Sequence, residues 1–343
     1  MDADIALVVD DPAWLPHRYD PGYDTFHFRR VTRPDHASAT FLIDEYLKDA
    51  SGPLVIERGA VRRVTDARAT APLHMIFHSA FCCSTLLARA LDVDGVATTL
   101  KEPVVLNDLV GWRRRGAAPA RLADVVRDTL ATLARPFGEG EAVVVKPANI
   151  VNVLAPSILA ARGESAAIVM YTPIDTFLTS VAKKGLDGRL WVRGLFAGLM
   201  QDGIVDFGYD TQALFGQTDL QIAALGWLAQ HRVFHALIAG PVGHRVRSLR
   251  SDVLLRSPAA AIERAGVLFG LDIDARQAAA IGGGPVFGRH SKTGTAFDAG
   301  DRRAEYRDAG AVHADEIAKV STWIRHVAQA AGVPLDLPSP LLD

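Results

Sequence analysis

The sequence predicts an α/β fold of three layers, a central parallel sheet with helices packed on both faces. Three observations carry this expectation. From residue 72 onward, short apolar runs of strand length alternate with longer segments of helical periodicity. Those runs are apolar at nearly every position instead of every second one, the pattern of strands buried on both faces. The alternation itself, strand then helix, is that of parallel sheets built from crossover units.

Taken in order, residues 1–70 scatter Trp14, Tyr19, Tyr23, Phe26, Phe28 and Phe41 among charges and read as an N-terminal extension that packs on a main domain at 71–343. Within it, DHASATFLIDEYLKDA (35–50) reads as a short amphipathic helix, with Phe41, Leu42, Tyr46 and Leu47 on one side. LHMIFH (73–78) is the first buried strand, followed by a helix over 84–92. RLADVVRDTLATLAR (121–135) is helical and leads into the strand AVVVK (142–146). AAIVMY (166–171) is the next strand, and the helix over 174–185 that follows closes on a glycine suited to a C-cap. RVRSL (245–249) is the last strand, followed by the helix SPAAAIERAGVLFG (257–270). Ligands of such sheets lie beyond the carboxyl ends of the strands, which directs attention to the loops after residues 78, 146, 171 and 249.

Composition narrows the function classes. Of 343 residues, 49% are hydrophobic and 22% charged, and the formal net charge is −2. That balance belongs to a globular chain with a full core, and it lacks the basic excess of nucleic-acid-binding proteins. No apolar run approaches the roughly 18 residues of a membrane span. The first residues, MDADIALVVDDPAW, are acidic where a signal peptide is basic. The only cysteines, Cys82 and Cys83, are sequence neighbours and do not make a disulfide framework. A cytoplasmic protein, neither membrane-bound nor nucleic-acid-binding, is the resulting expectation.

The segment HSAFCCST (78–85) joins the first strand to its helix, an arrangement in which successive backbone N–H groups face an anion. Ser84 and Thr85 add hydroxyl donors. The spacing parallels the phosphate-binding loop of nucleotide hydrolases, but His78 and Cys83 stand at its glycine positions and Ser84 at its lysine. Such a loop suits a nucleotide 5′-phosphate bound without a γ-phosphate or magnesium.

FHSAFCCSTLLARALD resembles the 5′-phosphosulfate loop of the sulfotransferase family. IVMYTPIDTFLTSVAKKG (168–185) is similar to that family's second signature, in which a strand leads to an arginine, a proline, an aspartate and then a serine for the 3′-phosphate. SLRSDVLLRSPAAAIERAGVLFGLDID (248–274) and GRHSKTG (288–294) resemble its late acidic loop with a proline-started helix and its basic closing loop. The likeness spans roughly residues 72–300. It implies a P-loop nucleotide-hydrolase-like fold and transfer of a sulfuryl group from 3′-phosphoadenosine 5′-phosphosulfate to a hydroxyl or amine of a small-molecule acceptor, with no metal. The departures are specific: Phe81 stands where the family has a basic residue, Cys83 where it has glycine, and Tyr171 where it has arginine.

The same resemblance assigns the donor site to Ser79, Ala80, Phe81, Cys82, Cys83, Ser84 and Thr85, with Thr179 or Ser180 for the 3′-phosphate and Arg289 and Lys292 on a closing loop. Glu102, in TTLKEP (98–103), falls where several sulfotransferases place an acidic base, and Lys146 ends a strand at the ligand-facing edge. Lys101 is a further candidate for positive charge. Each has a plainer alternative: a solvated carboxylate, a strand-end lysine, a helix-surface hydroxyl, a solvated loop. His74, His78 and the cysteines lack paired metal-ligand spacing, and WRRRG (112–116) reads as a solvated patch at a helix end. Two further classes stand beside sulfuryl transfer. One is a kinase-like phosphotransferase, for which Asp252 is the nearest magnesium carboxylate. The other is a non-catalytic nucleotide-binding or partner protein with a degenerate site.

Overall fold

A computed structural model describes residues 2–47, 52–288 and 299–342. Eight strands form two sheets. β1 (Trp14–Asp20), β2 (Thr25–Arg30) and β3 (Leu54–Glu57) make a small antiparallel sheet in that order, with an irregularity in register between Pro16 and Arg18. The second sheet has five parallel strands: β4 (Leu73–His78), β5 (Ala97–Lys101), β6 (Ala142–Lys146), β7 (Ala167–Tyr171) and β8 (Val246–Arg250). Their spatial order is β5-β6-β4-β7-β8. The chain thus fills one side of β4 first and then crosses to the other, so β4 lies at the point where the winding reverses. In parallel sheets that reversal opens a crevice at the carboxyl ends of the central strands.

Side-chain alternation along the strands divides the core into two layers. Leu73, Met75, Phe77, Val143, Val145 and Val169 face the helices Val105–Arg114, Pro119–Leu133, Ile174–Lys183 and Asp219–Ala239. Ile76, Val144, Ile168 and Met170 face the helices Ser84–Ala90 and Pro258–Phe269. The result is an α/β protein with a parallel sheet between two helical layers. Among the described residues no helix is long and apolar enough to cross a membrane.

The N-terminal sheet shares the first of these layers, through Leu15, Tyr19, Phe26 and Phe28. Tyr19 packs on Trp112 at 5.8 Å between ring centroids. Arg135, fully buried after the helix Pro119–Leu133, donates to the carbonyls of Val9 (2.8 Å), Asp11 (2.9 Å) and Trp14 (2.6 Å). Burial pushes this guanidinium down to about 9, and the carbonyl cage supplies the hydrogen bonds that such a site demands.

Three sequence expectations need correction. The helix expected over 35–50 is only Arg33–Ser38, capped by a reciprocal Thr32–Asp35 pair. Beyond it Leu42 bonds to the sheet edge, its N–H to Lys101 O (2.7 Å) and its carbonyl to Val104 N–H (3.3 Å), which draws Leu42 fully into the core. The chain then continues only in a turn closed by Tyr46 N–H to Ile43 O (3.1 Å). WRRRG is no solvated patch: Arg113 and Arg114 both clamp the buried carboxylate of Asp202 at 2.8 and 2.7 Å. β5 is absent from the strands expected, because Thr98, Thr99 and Lys101 interrupt its apolar run; all three are buried. The closing glycine, Gly185, does take positive φ (+56°) immediately after the end of Ile174–Lys183.

Candidate functional site

The loop leaving β4 is wound unusually tightly. Ala80, Phe81 and Cys83 have φ of 70°, 50° and 63°, and none is glycine. Each such residue costs about 1–2 kcal/mol against the right-handed region, and strain of this kind gathers where backbone must be aimed. The loop is pinned at both ends. Ser79 N–H extends the ladder to Met170 O of β7 (3.0 Å), and Leu87 N–H makes the first helical bond to Cys83 O (3.1 Å). Between them the Ser79 hydroxyl is fully buried and has no hydrogen-bond partner among the described residues. A buried hydroxyl left open in this way is uncommon and asks for an acceptor.

If αL geometry at Cys83 is imposed by the fold, Cys83→Val should cost about 2 kcal/mol, because a β-branched residue is strongly disfavoured there, while Cys83→Gly folds readily. Urea unfolding of the two variants is the measurement; equal stabilities would show the loop free to relax.

His78 holds the loop's first turn. Its Nδ1 accepts from Ala80 N–H (3.1 Å), so Nε2 carries the proton and donates to Pro147 O (3.0 Å). His78 O in turn accepts from the Asn152 side-chain amide (2.9 Å), which also donates to Gln230 Oε1 (3.0 Å). The short 3-10 helix Asn149–Leu154 after β6 and the helix Asp219–Ala239 therefore buttress the end of β4.

Glu102 and Lys146 meet beside this loop. β5 and β6 pair in register Lys101↔Lys146, bringing the two strand ends side by side. Glu102 is in the left-handed region (φ 54°), and the turn lets its N–H reach Lys146 O (2.6 Å). Its carboxylate folds back to form an ion pair with Lys146 Nζ and lies 3.8 Å from His78 Nε2. Lys146 is almost fully buried, and its ammonium sits 5.1 Å from the centroid of the Phe41 ring. A carboxylate and an ammonium at the carboxyl edge of the sheet, both touching the segment that holds the loop, provide a base and a cation in one place.

The remaining candidates are distributed as follows. Phe81 turns to an aromatic cluster with Phe177 (5.8 Å) and Trp191 (5.3 Å), and Lys184 Nζ stands 6.0 Å from its ring centroid. Cys82 is buried, and burial together with the neighbouring Cys83 thiol pushes its own thiol up to about 12, which removes it as a nucleophile. Ser84 and Thr85 are buried at the start of their helix. Thr179 and Ser180 each donate back to their own helix, to Asp175 O and Thr176 O at 2.8 Å. Ser180 shares a helix face with Phe177 and Lys184, the face that meets the loop, and is buried, whereas Thr179 is half-buried on another side. Arg289 and Lys292 lie outside the described residues.

Lys101 points away from the loop, its Nζ donating to Ala37 O (3.0 Å). Tyr171 anchors the C-terminal segment, its hydroxyl accepting from Leu337 N–H (3.2 Å). Asp252 is paired with Arg250 at 3.0 Å. Among the described residues no group of three or more His, Cys, Asp or Glu side chains could hold a metal ion. His74 stacks on Phe269 with ring centroids 4.8 Å apart.

The sequence reading did not single out His78 as a loop brace, Asn152 and Gln230 as its supports, or Phe41 beneath Lys146. The one local signal was in PANIVNVL, where two asparagines follow the strand end within an otherwise apolar stretch. Neither a protein-family model nor any curated protein matches this chain.

Proposed function

We propose that the protein is a sulfotransferase with a P-loop-like core, moving a sulfuryl group from 3′-phosphoadenosine 5′-phosphosulfate to a hydroxyl or amine of a small acceptor. The observation that carries this reading is the Glu102–Lys146 pair set against the strained loop 79–83 at the sheet's reversal point. Support also comes from the open Ser79 hydroxyl and from the order of motifs along residues 72–300. In this reading backbone groups of residues 79–85, with Ser84 and Thr85, hold the 5′-phosphosulfate, and Ser180 is the better placed of the two 3′-phosphate candidates. Glu102 takes the acceptor proton as the new O–S or N–S bond forms. Lys146 offsets charge on the moving sulfuryl oxygens, and the S–O bond to the phosphate breaks to release 3′-phosphoadenosine 5′-phosphate. His78, locked as the Nε2–H tautomer, keeps the loop and the carboxylate in place.

The test is thermal unfolding with adenosine 3′,5′-bisphosphate and no metal, against ATP with magnesium. A ligand bound only by the native state raises its stability by mass action. A rise with the bisphosphate alone is expected. A response confined to ATP and magnesium would overturn the proposal in favour of a kinase-like enzyme, and silence toward both would favour a non-catalytic partner protein.

A further inference from the structure

Outside the Glu102–Lys146 pair, a second group of charged side chains is buried at the open edge of the sheet without compensation. Lys101 is fully buried, and among the described residues its ammonium has one hydrogen-bond partner, the carbonyl of Ala37. Thr99, two residues earlier on the same face of β5, is also fully buried, and its hydroxyl has no partner. Beside Ala37, the His36 ring is buried with neither nitrogen hydrogen-bonded. Arg89, in the last turn of Ser84–Ala90, leaves its buried Nε unpaired and has no ion pair among the described residues. Asp92 accepts from Thr99 N–H (3.0 Å) and, among the described residues, forms no ion pair with Lys101 or Arg89.

The members sense one another. Lys101 is held down at about 8 by burial, with Arg89 adding repulsion and Asp92 opposing it, and His36 is held down by burial and then by Lys101. Arg33 and Asp94, which also act on Asp92, pair with each other at 2.8 Å, leaving Asp92 as the nearest carboxylate to both Lys101 and Arg89. Leaving buried donors unsatisfied is costly. Arg89 and Asp92 are only partly buried, so the group is open to solvent from that side.

We infer that Lys101, Arg89 and His36, with the Thr99 hydroxyl, form an anion-recognition subsite, and that the acceptor is a hydroxylated molecule bearing a carboxylate, phosphate or sulfate group. The second half rests on the sulfotransferase reading. Lys101 directly precedes Glu102, so an anion at Nζ lies on the order of 10 Å from the base, a span that one small molecule can bridge. The anionic end sets orientation and the hydroxyl is presented to Glu102.

The experiment compares thermal unfolding in sodium sulfate and in sodium chloride at matched ionic strength, for the wild type, Lys101→Met and Arg89→Gln. Lys101→Met nearly keeps the side-chain volume and removes a buried charge, and Arg89→Gln shortens a half-buried side chain, so both are expected to fold. At tenfold the dissociation constant, sulfate should raise the wild-type Tm about 2 °C beyond chloride, and both variants should lose that increment. A parallel arm with adenosine 3′,5′-bisphosphate should give the same rise in all three proteins. Equal responses of wild type and variants to sulfate would overturn the subsite. A sulfate increment that depends on Lys101 and Arg89, with no bisphosphate response in any protein, would keep the anion subsite and remove its assignment to an acceptor.

Discussion

On the proposed function, Glu102→Gln should lower sulfuryl transfer by about two to four orders of magnitude and also destabilise the fold, and the two effects separate in a double-mutant cycle. Glutamine keeps the shape of the side chain but cannot take a proton. It also leaves the buried Lys146 ammonium beside Phe41 with no carboxylate. Breaking one partner out of a buried pair costs about 3 kcal/mol, whereas removing both charges is nearly neutral. Lys146→Met should therefore fold about as stably as the wild type if Glu102, with its 19% exposed side chain, turns toward water. The double variant Glu102→Gln, Lys146→Met should recover most of the stability lost by Glu102→Gln while staying inactive. Urea unfolding and a transfer assay on all four proteins read the cycle. Full activity in Glu102→Gln would remove it as the base. A double variant no more stable than Glu102→Gln would show that the pair does not hold the two strand ends together.

The parts of this architecture that were legible in sequence are those where one physical effect dominates. β4 and β6 are recognisable to the residue because LHMIFH and AVVVK are buried on both faces and leave no room for polar alternation. The strand-loop-helix order around 78–85 is likewise legible, from the change of period between the two runs. β5 was not legible, because its core-facing positions include Thr98, Thr99 and Lys101, whose burial rests on partners distant in sequence: Glu141 for Thr98, Asp92 for the Thr99 amide, Ala37 for Lys101. The false helix at 39–47 fails for a related reason. Its apolar spacing is helical, yet in its middle the Leu42 amide is claimed by the end of β5. At the site, Glu102 and Lys146 could be named from their places at strand ends. Their pairing depends on the register Lys101↔Lys146 and on a left-handed turn at a non-glycine residue, and neither leaves a trace in the letters. The arginine run at 112–116 shows the converse, since only the fold reveals that Asp202 awaits it.

Acid should unfold this protein well before its carboxylates are protonated. Four buried histidines are held down by desolvation, and in three of them the effect is large: His36 and His231 are pushed down to about 3 and His74 to about 4, while in His17 the Asp44 carboxylate opposes it. The sign follows from proton uptake. In the unfolded chain each imidazole binds a proton near its ordinary pKa of about 6.5, while in the native state it does not, so stability is complete above that value and falls as pH drops toward 4. Each such group removes about 1.4 kcal/mol per pH unit in that window, so three acting together remove about 4 kcal/mol per unit, a large share of a typical total of about 5–15 kcal/mol. Loss of native structure is therefore expected near pH 5, read by far-ultraviolet circular dichroism against pH. His231 is the most informative of the three. It stacks on Trp227 at 3.5 Å and meets Tyr171 edge-on at 5.0 Å, its Nδ1–H donates to Trp227 O (3.2 Å), and its Nε2 has no partner. His231→Phe keeps the aromatic packing and abandons only one hydrogen bond to a carbonyl within the same helix. It should make the acid transition shallower and move its midpoint to lower pH by about half a unit. An unchanged midpoint and slope would place the acid sensitivity elsewhere, in ion pairs such as Asp24–Arg58, whose carboxylate is held below its ordinary range by hydrogen bonds from Arg58 and Tyr19 despite the opposing effect of burial.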